Sequence, residues 1–195
     1  EHDGGVFNAM NKGIVKARGE YLLMLNAGDY LADAGVLEGV FAAGTYTEDL
    51  LIGDVYREAE GKIFAESFFP ETYSFDFFRK GSLSHQGTFI KRSLHDLLGL
   101  YDENLRFSSD WKFFILAICK FNVSYKHLPF FNSVCDCGGL TCSAANFGKM
   151  REESDMVLRQ YFPAFLADYA ELESLKEGTL KKRVATWRKQ IRKIK

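Results

Sequence analysis

Tyr21-Leu22-Leu23-Met24-Leu25-Asn26-Ala27-Gly28-Asp29 decides how this chain is read. An apolar run follows Gly19-Glu20 and ends abruptly in a polar, glycine-bearing turn. The run is too short for a helix and continuous rather than alternating. It predicts a strand buried on both faces, as in a parallel sheet. Upstream, Val6, Met10, Ile14 and Ala17 recur at helical spacing and predict a helix stopped at Gly19. Downstream, Asp33 is placed to cap a helix over residues 34–43, with Val36, Leu37, Val40 and Phe41 facing inward. Residues 49–56 predict a second buried strand. Residues 63–69 predict another, paired back across the Glu60-Gly61 turn. A short helix or turn over 75–80, a strand over 86–90 and a helix over 91–98 ended by Gly99 follow. Ser109-Asp110 opens an apolar helix over 111–120, residues 123–128 are strand-like, and 135–143 read as a loop. Residues 146–195 read as two or three helices. This alternation of strands and helices is an α/β pattern.

Composition narrows the class. The chain has 195 residues, 47% hydrophobic and 26% charged, which suits a soluble globular domain and excludes global disorder. No apolar run approaches the roughly 20 residues of a membrane-spanning helix. Glu1-His2-Asp3-Gly4-Gly5 is a turn-rich start in mid-domain, with no basic stretch leading into an apolar one, so no signal peptide is expected. Four Cys in a chain of this length imply no disulfide scaffold, and a reducing cytoplasm is the expected compartment. Cys135, Cys137 and Cys142, with Cys119, do not have the spacing of a zinc knuckle, and ordinary reduced thiols are expected. No P-loop, Rossmann glycine fingerprint or nucleophile elbow is present.

Charge is unevenly spread. Residues 181–195 carry eight Lys or Arg and no acid; set against the chain total of −1, that leaves −9 on residues 1–180. Leu180, Val184, Trp187, Ile191 and Ile194 recur at helical spacing among these cations. Such a basic amphipathic helix suits an anionic membrane surface. The same stripe would equally pack on the protein itself or on a second copy in a homo-oligomer. Nucleic acid is not an expected partner, because no other feature supports it.

Several residues stand where chemistry is done. The turn Asn26-Ala27-Gly28-Asp29 follows a strand, and the carboxyl edge of an α/β sheet is where ligands bind. Asn26 and Asp29 are hard oxygen donors suited to Mg²⁺ or Mn²⁺ bridged to substrate phosphates, or they are the solvated side chains of a turn. Asp110 opens a buried helix, either as its cap or as a rigidly held general base. His85 and Gln86 precede a strand, either as a hydrogen-bonded structural pair or beside a ligand. Asp54, expected to end the second strand, is a spare carboxylate.

Asp3-Gly4-Gly5-Val6-Phe7-Asn8-Ala9-Met10-Asn11-Lys12-Gly13-Ile14, Ala17-Arg18-Gly19-Glu20-Tyr21 and Leu25-Asn26-Ala27-Gly28-Asp29 together resemble family 2 glycosyltransferases. Ile52-Gly53-Asp54, His85-Gln86, Gly99-Leu100-Tyr101-Asp102-Glu103, Ser109-Asp110-Trp111 and Gly138-Gly139-Leu140-Thr141 continue the likeness in order, across roughly residues 1–145. The resemblance implies a GT-A-like, Rossmann-like mixed sheet flanked by helices over residues 1–145, with a helical carboxyl-terminal extension over 146–195. It also implies an inverting enzyme of bacterial surface polysaccharide synthesis, transferring sugar from a nucleotide-diphosphate donor, foremost a UDP-sugar. The acceptor would be a saccharide or lipid-linked saccharide. Such an enzyme would be cytoplasmic, or peripheral on the inner face of the plasma membrane through residues 180–195. By the resemblance Asp29, helped by Asn26, would hold Mg²⁺ or Mn²⁺, since neither position of the family's Asp-any-Asp motif is Asp here. Asp110 would be the base, Asp3, Asn11 and Lys12 would line the donor side, and His85 and Gln86 would lie near the donor phosphates or the acceptor. Family members begin with nucleoside-binding strands that this stretch does not contain, so it resembles their carboxyl-terminal portion. A truncated or non-catalytic binding or assembly module of the same fold is the alternative.

Overall fold

The computed structural model describes residues 2–42, 44–139 and 142–192, with side chains for all of these except residues 177 and 180–192. The chain divides into two compact units, residues 1–153 and 154–195. The first is a mixed sheet with flanking helices. Helix α1 spans Val6–Lys16, strands β1 and β2 are Tyr21–Leu22 and Tyr30–Leu31, and α2 is Val36–Phe41. The long strand β3 is Leu50–Ala59, β4 is Lys62–Ser67 and α3 is Phe75–Lys80. A 3₁₀ turn over His85–Gly87 leads into β5, Thr88–Lys91, followed by α4, Leu94–Leu98. Helix α5 spans Ser109–Ile115 and relaxes into a π-helical turn over Leu116–Lys120; β6 is Tyr125–Asp136. Helix α6, Phe147–Tyr161, crosses the boundary between the units, and α7 is Pro163–Arg192. The stripe expected over 180–194 lies where side chains are outside the description.

The strand order is β1-β5-β3-β6-β2, with β4 alongside β3. β3 and β6 are parallel, and every other pairing is antiparallel. It follows that β1, β3 and β6 point the same way, and β2, β4 and β5 point back. The carboxyl ends of the first three and the entrances to β2 and β5 therefore meet at one edge. That single topological fact gathers the loops after β1, before β5 and after β6.

β3 supplies the core. Leu50, Leu51, Ile52 and Val55 are all 0% exposed, as a strand with neighbours on both sides and helices on both faces requires. Phe78 of α3 and Phe114 and Ile115 of α5 are buried as well. The β3–β4 hairpin turns at Glu60-Gly61, both with positive φ (52° and 72°), the backbone of a two-residue hairpin turn.

Some expectations are corrected. Tyr21–Leu25 is not a fully buried strand: only Tyr21 and Leu22 pair, on one side, with antiparallel β5, and Leu25 is 39% exposed. α1 buries Met10 and Ile14 of the expected face, with Phe7 and Asn11 beside them, while Val6 is exposed. In α2, Val36 and Val40 are buried and Leu37 faces out, while the half-exposed Phe41 sets its ring against Tyr21, Tyr46 and Phe89. β6 runs well past Leu128. Two bulges, around Pro129 and at Asn132, let the strand continue where a proline cannot donate to the ladder. Asp54 does not end β3. It lies inside the strand, 4% exposed, and its Oδ1 accepts from Phe69 N (2.8 Å) and meets His127 Nε2 (3.2 Å).

Candidate functional site

At the shared edge the turn after β1 is tied down by its own aspartate. Asp29 Oδ2 accepts from Asn26 N (2.9 Å) and Oδ1 from Asp136 N (2.9 Å) at the end of β6. One carboxylate thus joins the β1 and β6 loops. Gly28 stands with φ +99°, and an added Cβ would come within 2.7 Å of Asp136 Oδ2, so both the backbone and the space call for glycine. Among the described residues no group of three or more His, Cys, Asp or Glu is placed to hold a metal ion. The oxygen donors Asn26 and Asp29 fit a hard cation that draws its remaining ligands from phosphate and water, and do not fit an all-protein cage.

The turn before β5 carries His85 into the same edge. Asn132 Nδ2 donates to Gly87 O (2.8 Å), and Thr88 Oγ1 to Ser84 O (2.7 Å), which pins the turn from below. His85 is 8% exposed. Its Nε2 meets Asn26 Nδ2 at 3.1 Å and its Nδ1 meets Asp110 Oδ2 at 2.8 Å. Asn26, His85 and Asp110 therefore form one chain of contacts. Gln86 turns aside, with its Oε1 accepting from Ser84 Oγ (2.8 Å).

Asp110 is held by how α5 begins. Its Oδ1 accepts from Trp111 N (2.8 Å), and its side chain is 18% exposed. It is not the helix cap: Ser108 precedes the helix, and its hydroxyl turns to Met150 O (3.2 Å). The loop that leads into α5 is tied by Glu153, whose carboxylate accepts from Arg106 N, Phe107 N and Ser108 N at 2.8–2.9 Å. Trp111 Nε1 donates to Phe78 O (2.9 Å), locking α5 on α3. The buried Tyr101 phenol is pushed up, first by burial and then by the charge of Asp110. Glu153→Ala is expected to cost about 2 kcal/mol, the loss of a carboxylate from three backbone donors of that loop. Urea unfolding measures this, and a change below about 0.5 kcal/mol would show that water replaces Glu153.

Asp3, Asn11 and Lys12 gather at α1 and the loop after α4. Asn11 is 5% exposed; its Nδ2 donates to Tyr101 O (2.9 Å) and Glu103 Oε1 (2.8 Å), and its Oδ1 accepts from Tyr101 N (2.9 Å). Asn8, one turn earlier, donates to Glu103 Oε2 (2.9 Å). Those bonds hold Glu103's carboxyl below its usual range, the Asn11 bond most. Lys112 of α5 reaches Asp102 Oδ2 (2.7 Å) and lowers that carboxyl too. α1 is thereby laced to the loop that leads into α5. Lys12 Nζ lies 2.8 Å from His2 O and 3.2 Å from Asp3 Oδ1.

Reading the sequence missed Asp136 and Glu153. Asp136 was hidden because Cys135-Asp136-Cys137 read as loop, whereas the first two residues end β6. Glu153 acts across 45 to 47 positions, a distance at which no local pattern signals it. Leu140 and Thr141 of the Gly138–Thr141 motif lie outside the described residues.

No protein-family model matches the chain. It is 34% identical over 113 residues to PGL/p-HBAD biosynthesis glycosyltransferases of Mycobacterium bovis and Mycobacterium tuberculosis, covering 57% of this chain and 43% of theirs. The chain thus spans less than half the length of the curated relatives it matches. Among solved structures it is similar in fold to TarS 1-349 of S. aureus (TM-score 0.52, 15% identity, 83% of this chain and 53% of that one). The same protein in complex with UDP-GlcNAc superposes at TM-score 0.56, with 18% identity over 82% of this chain and 52% of that one. In sequence and in fold, the chain resembles family 2, GT-A-like glycosyltransferases.

Proposed function

We propose that the chain carries the base and the diphosphate-facing loop of an inverting glycosyltransferase that uses a nucleotide-sugar donor. The observation that carries this reading is Asp110. It is a partly exposed carboxylate at the carboxyl edge of the sheet, held from two directions at 2.8 Å, a few residues in space from the Asn26–Asp29 turn. An acceptor hydroxyl placed against Asp110 would lose its proton to the carboxylate while its oxygen attacks the anomeric carbon. The bond from that carbon to the diphosphate oxygen breaks on the opposite face, the nucleoside diphosphate leaves, and configuration inverts. Asn26 and Asp29 would hold Mg²⁺ or Mn²⁺, which supplies charge neutralisation on the departing diphosphate.

The donor is a UDP-sugar, a reading supported by the fold likeness to a UDP-GlcNAc complex. Lys12 and Asp3 lie on the donor side in this reading, with Asn11 acting through the Tyr101–Glu103 loop it clamps. His85 and Gln86 sit behind the reacting groups. A saccharide or lipid-linked saccharide acceptor, in bacterial surface polysaccharide synthesis, fits the reaction. No described helix is long and apolar enough to cross a membrane. The basic stripe of residues 180–195 would hold the enzyme at an anionic membrane surface on the cytoplasmic side, each cation contributing about 1 kcal/mol.

Titration calorimetry of the chain with UDP and Mn²⁺, beside Asp29→Ala, tests the reading. Metal-dependent binding, weakened at least roughly 10-fold in the variant, is the expected result for loss of the one carboxylate ligand. Equal binding by both proteins would remove Asp29 from the donor site. No binding by either would point to a truncated enzyme or to a binding or assembly module.

A further inference from the structure

We infer that His85 is a positioning residue for Asp110, and that Asn26 determines which nitrogen of His85 carries the proton. This rests on Asp110 being the general base. An amide nitrogen only donates, so with Asn26 Nδ2 at 3.1 Å the ring Nε2 must accept. A neutral imidazole that accepts at Nε2 has its proton on Nδ1. That N–H points at Asp110 Oδ2, 2.8 Å away. Asp110 Oδ1 is already engaged by Trp111 N at 2.8 Å. Two donors from different elements, the turn before β5 and the backbone of α5, therefore hold the two carboxylate oxygens. The plane of the carboxylate is set, and each oxygen keeps a lone pair for an incoming hydroxyl.

The identity of residue 26 matters in this arrangement. Among the described residues Asn26 Oδ1 has no hydrogen-bond donor, while its Nδ2 holds His85. One side chain thus faces the ligand side with its oxygen and orders the base with its nitrogen. An aspartate in its place would offer only acceptors. Nε2 would then have to carry a proton to meet it, whereas with Asn26 it must be bare. Asn26 is therefore the residue that links the diphosphate loop to the base, and the link runs through a single imidazole. Burial keeps it in place: the side chains of His85 and Asp110 are 11% and 18% exposed.

Long-range ¹H–¹⁵N spectra of the ring-labelled chain read the tautomer directly. The chain has four His, and His85→Asn identifies the His85 signals. The expected result is a protonated Nδ1 and an unprotonated Nε2 in the native protein, with Nε2 becoming protonated in Asn26→Asp. The Trp111 amide resonance, which senses Asp110 Oδ1, should move in His85→Leu. It should stay near its native position in His85→Asn, whose amide nitrogen falls close to the place of Nδ1. In a transfer assay with UDP-GlcNAc, His85→Leu should lower kcat about 10- to 100-fold, part of what a general base supplies, and leave the donor KM within about twofold. His85→Asn should recover most of that loss. A native ring protonated on Nε2, or one unchanged by Asn26→Asp, overturns the inference whatever the activity. A protonated Nδ1 in a chain that transfers no sugar would leave the His85–Asn26 link standing and mark the chain as a truncated or non-catalytic module.

Discussion

Asp110→Asn should lower kcat for sugar transfer by roughly 10²–10⁴ while UDP binding stays within about twofold, the loss expected when a general base is removed. Asparagine keeps the size of the side chain and an acceptor for Trp111 N, so α5 should still start where it does. It loses the basic oxygen, and it would set an amide nitrogen or a weaker acceptor against His85 Nδ1. The competing role for an aspartate at this place is purely helical. A carboxylate in a first helical turn contributes only about 0.3–1 kcal/mol through the helix dipole and nothing to chemistry. The two roles therefore separate by measurement: kcat by single-turnover transfer, UDP affinity by calorimetry, and stability by thermal unfolding. A variant that keeps kcat within threefold and merely melts a little earlier would assign Asp110 to the helix. The base would then have to come from the loop where Asp29 and Asp136 meet.

How much of this could be read from residue order depends on range. The continuous run Leu50-Leu51-Ile52 reads as a buried strand because the neighbours of β3 bury both its faces. The Glu60-Gly61 turn reads correctly because positive φ at consecutive positions has a local residue signature. Tyr21–Leu25 misleads for the opposite reason. Its composition is that of an interior strand, yet only β5 lies beside its first two residues. β6 defeats local reading altogether, since Pro129 looks like a stop and the strand passes it through a bulge. The site shows the same split. Asn26, Asp29, His85 and Asp110 can each be picked out as polar groups at a strand end, a turn or a helix start. Their joining cannot, because 59 positions separate Asn26 from His85 and 25 separate His85 from Asp110. The direction of β5 brings them together, and that direction is a property of the whole sheet. Asn11 shows the limit of residue type as a guide. It has the chemistry of a ligand contact, but folding spends both ends of its amide on the loop around Tyr101.

Gly53→Ala should be the most damaging single methyl in the chain, costing about 4 kcal/mol. A Cβ there would lie 2.1 Å from Asn132 Nδ2 and 2.3 Å from its Cγ. Asn132 is 0% exposed. It sits in a bulge of β6 and spans the gap to Gly87 O (2.8 Å), beneath the turn that presents His85. Gly87 is closed from the other side, where a Cβ would meet Val55 Cγ1 at 2.5 Å and Gly53 O at 2.8 Å. Overpacking of this kind costs about 1–3 kcal/mol. Driving Asn132 off Gly87 O leaves buried polar groups unpaired, for a further 1–3 kcal/mol or so. Asn132 Oδ1 already has no partner, so it offers no alternative bond to offset the loss. The melting temperature should fall by about 10 °C for a chain of this size. The His85 ring signals should broaden or shift as the turn lifts. Gly13→Ala is the matched control: it lies in α1, nothing comes within 4 Å of its added Cβ, and a helix-interior alanine should raise stability by about 0.5–1 kcal/mol. A Gly53→Ala protein as stable as the native one would mean that Asn132 is free to move. The turn carrying His85 would then be held by Thr88 and by the bonds of His85 itself, and the position of the imidazole against Asp110 would owe nothing to the close packing of β3 against β6.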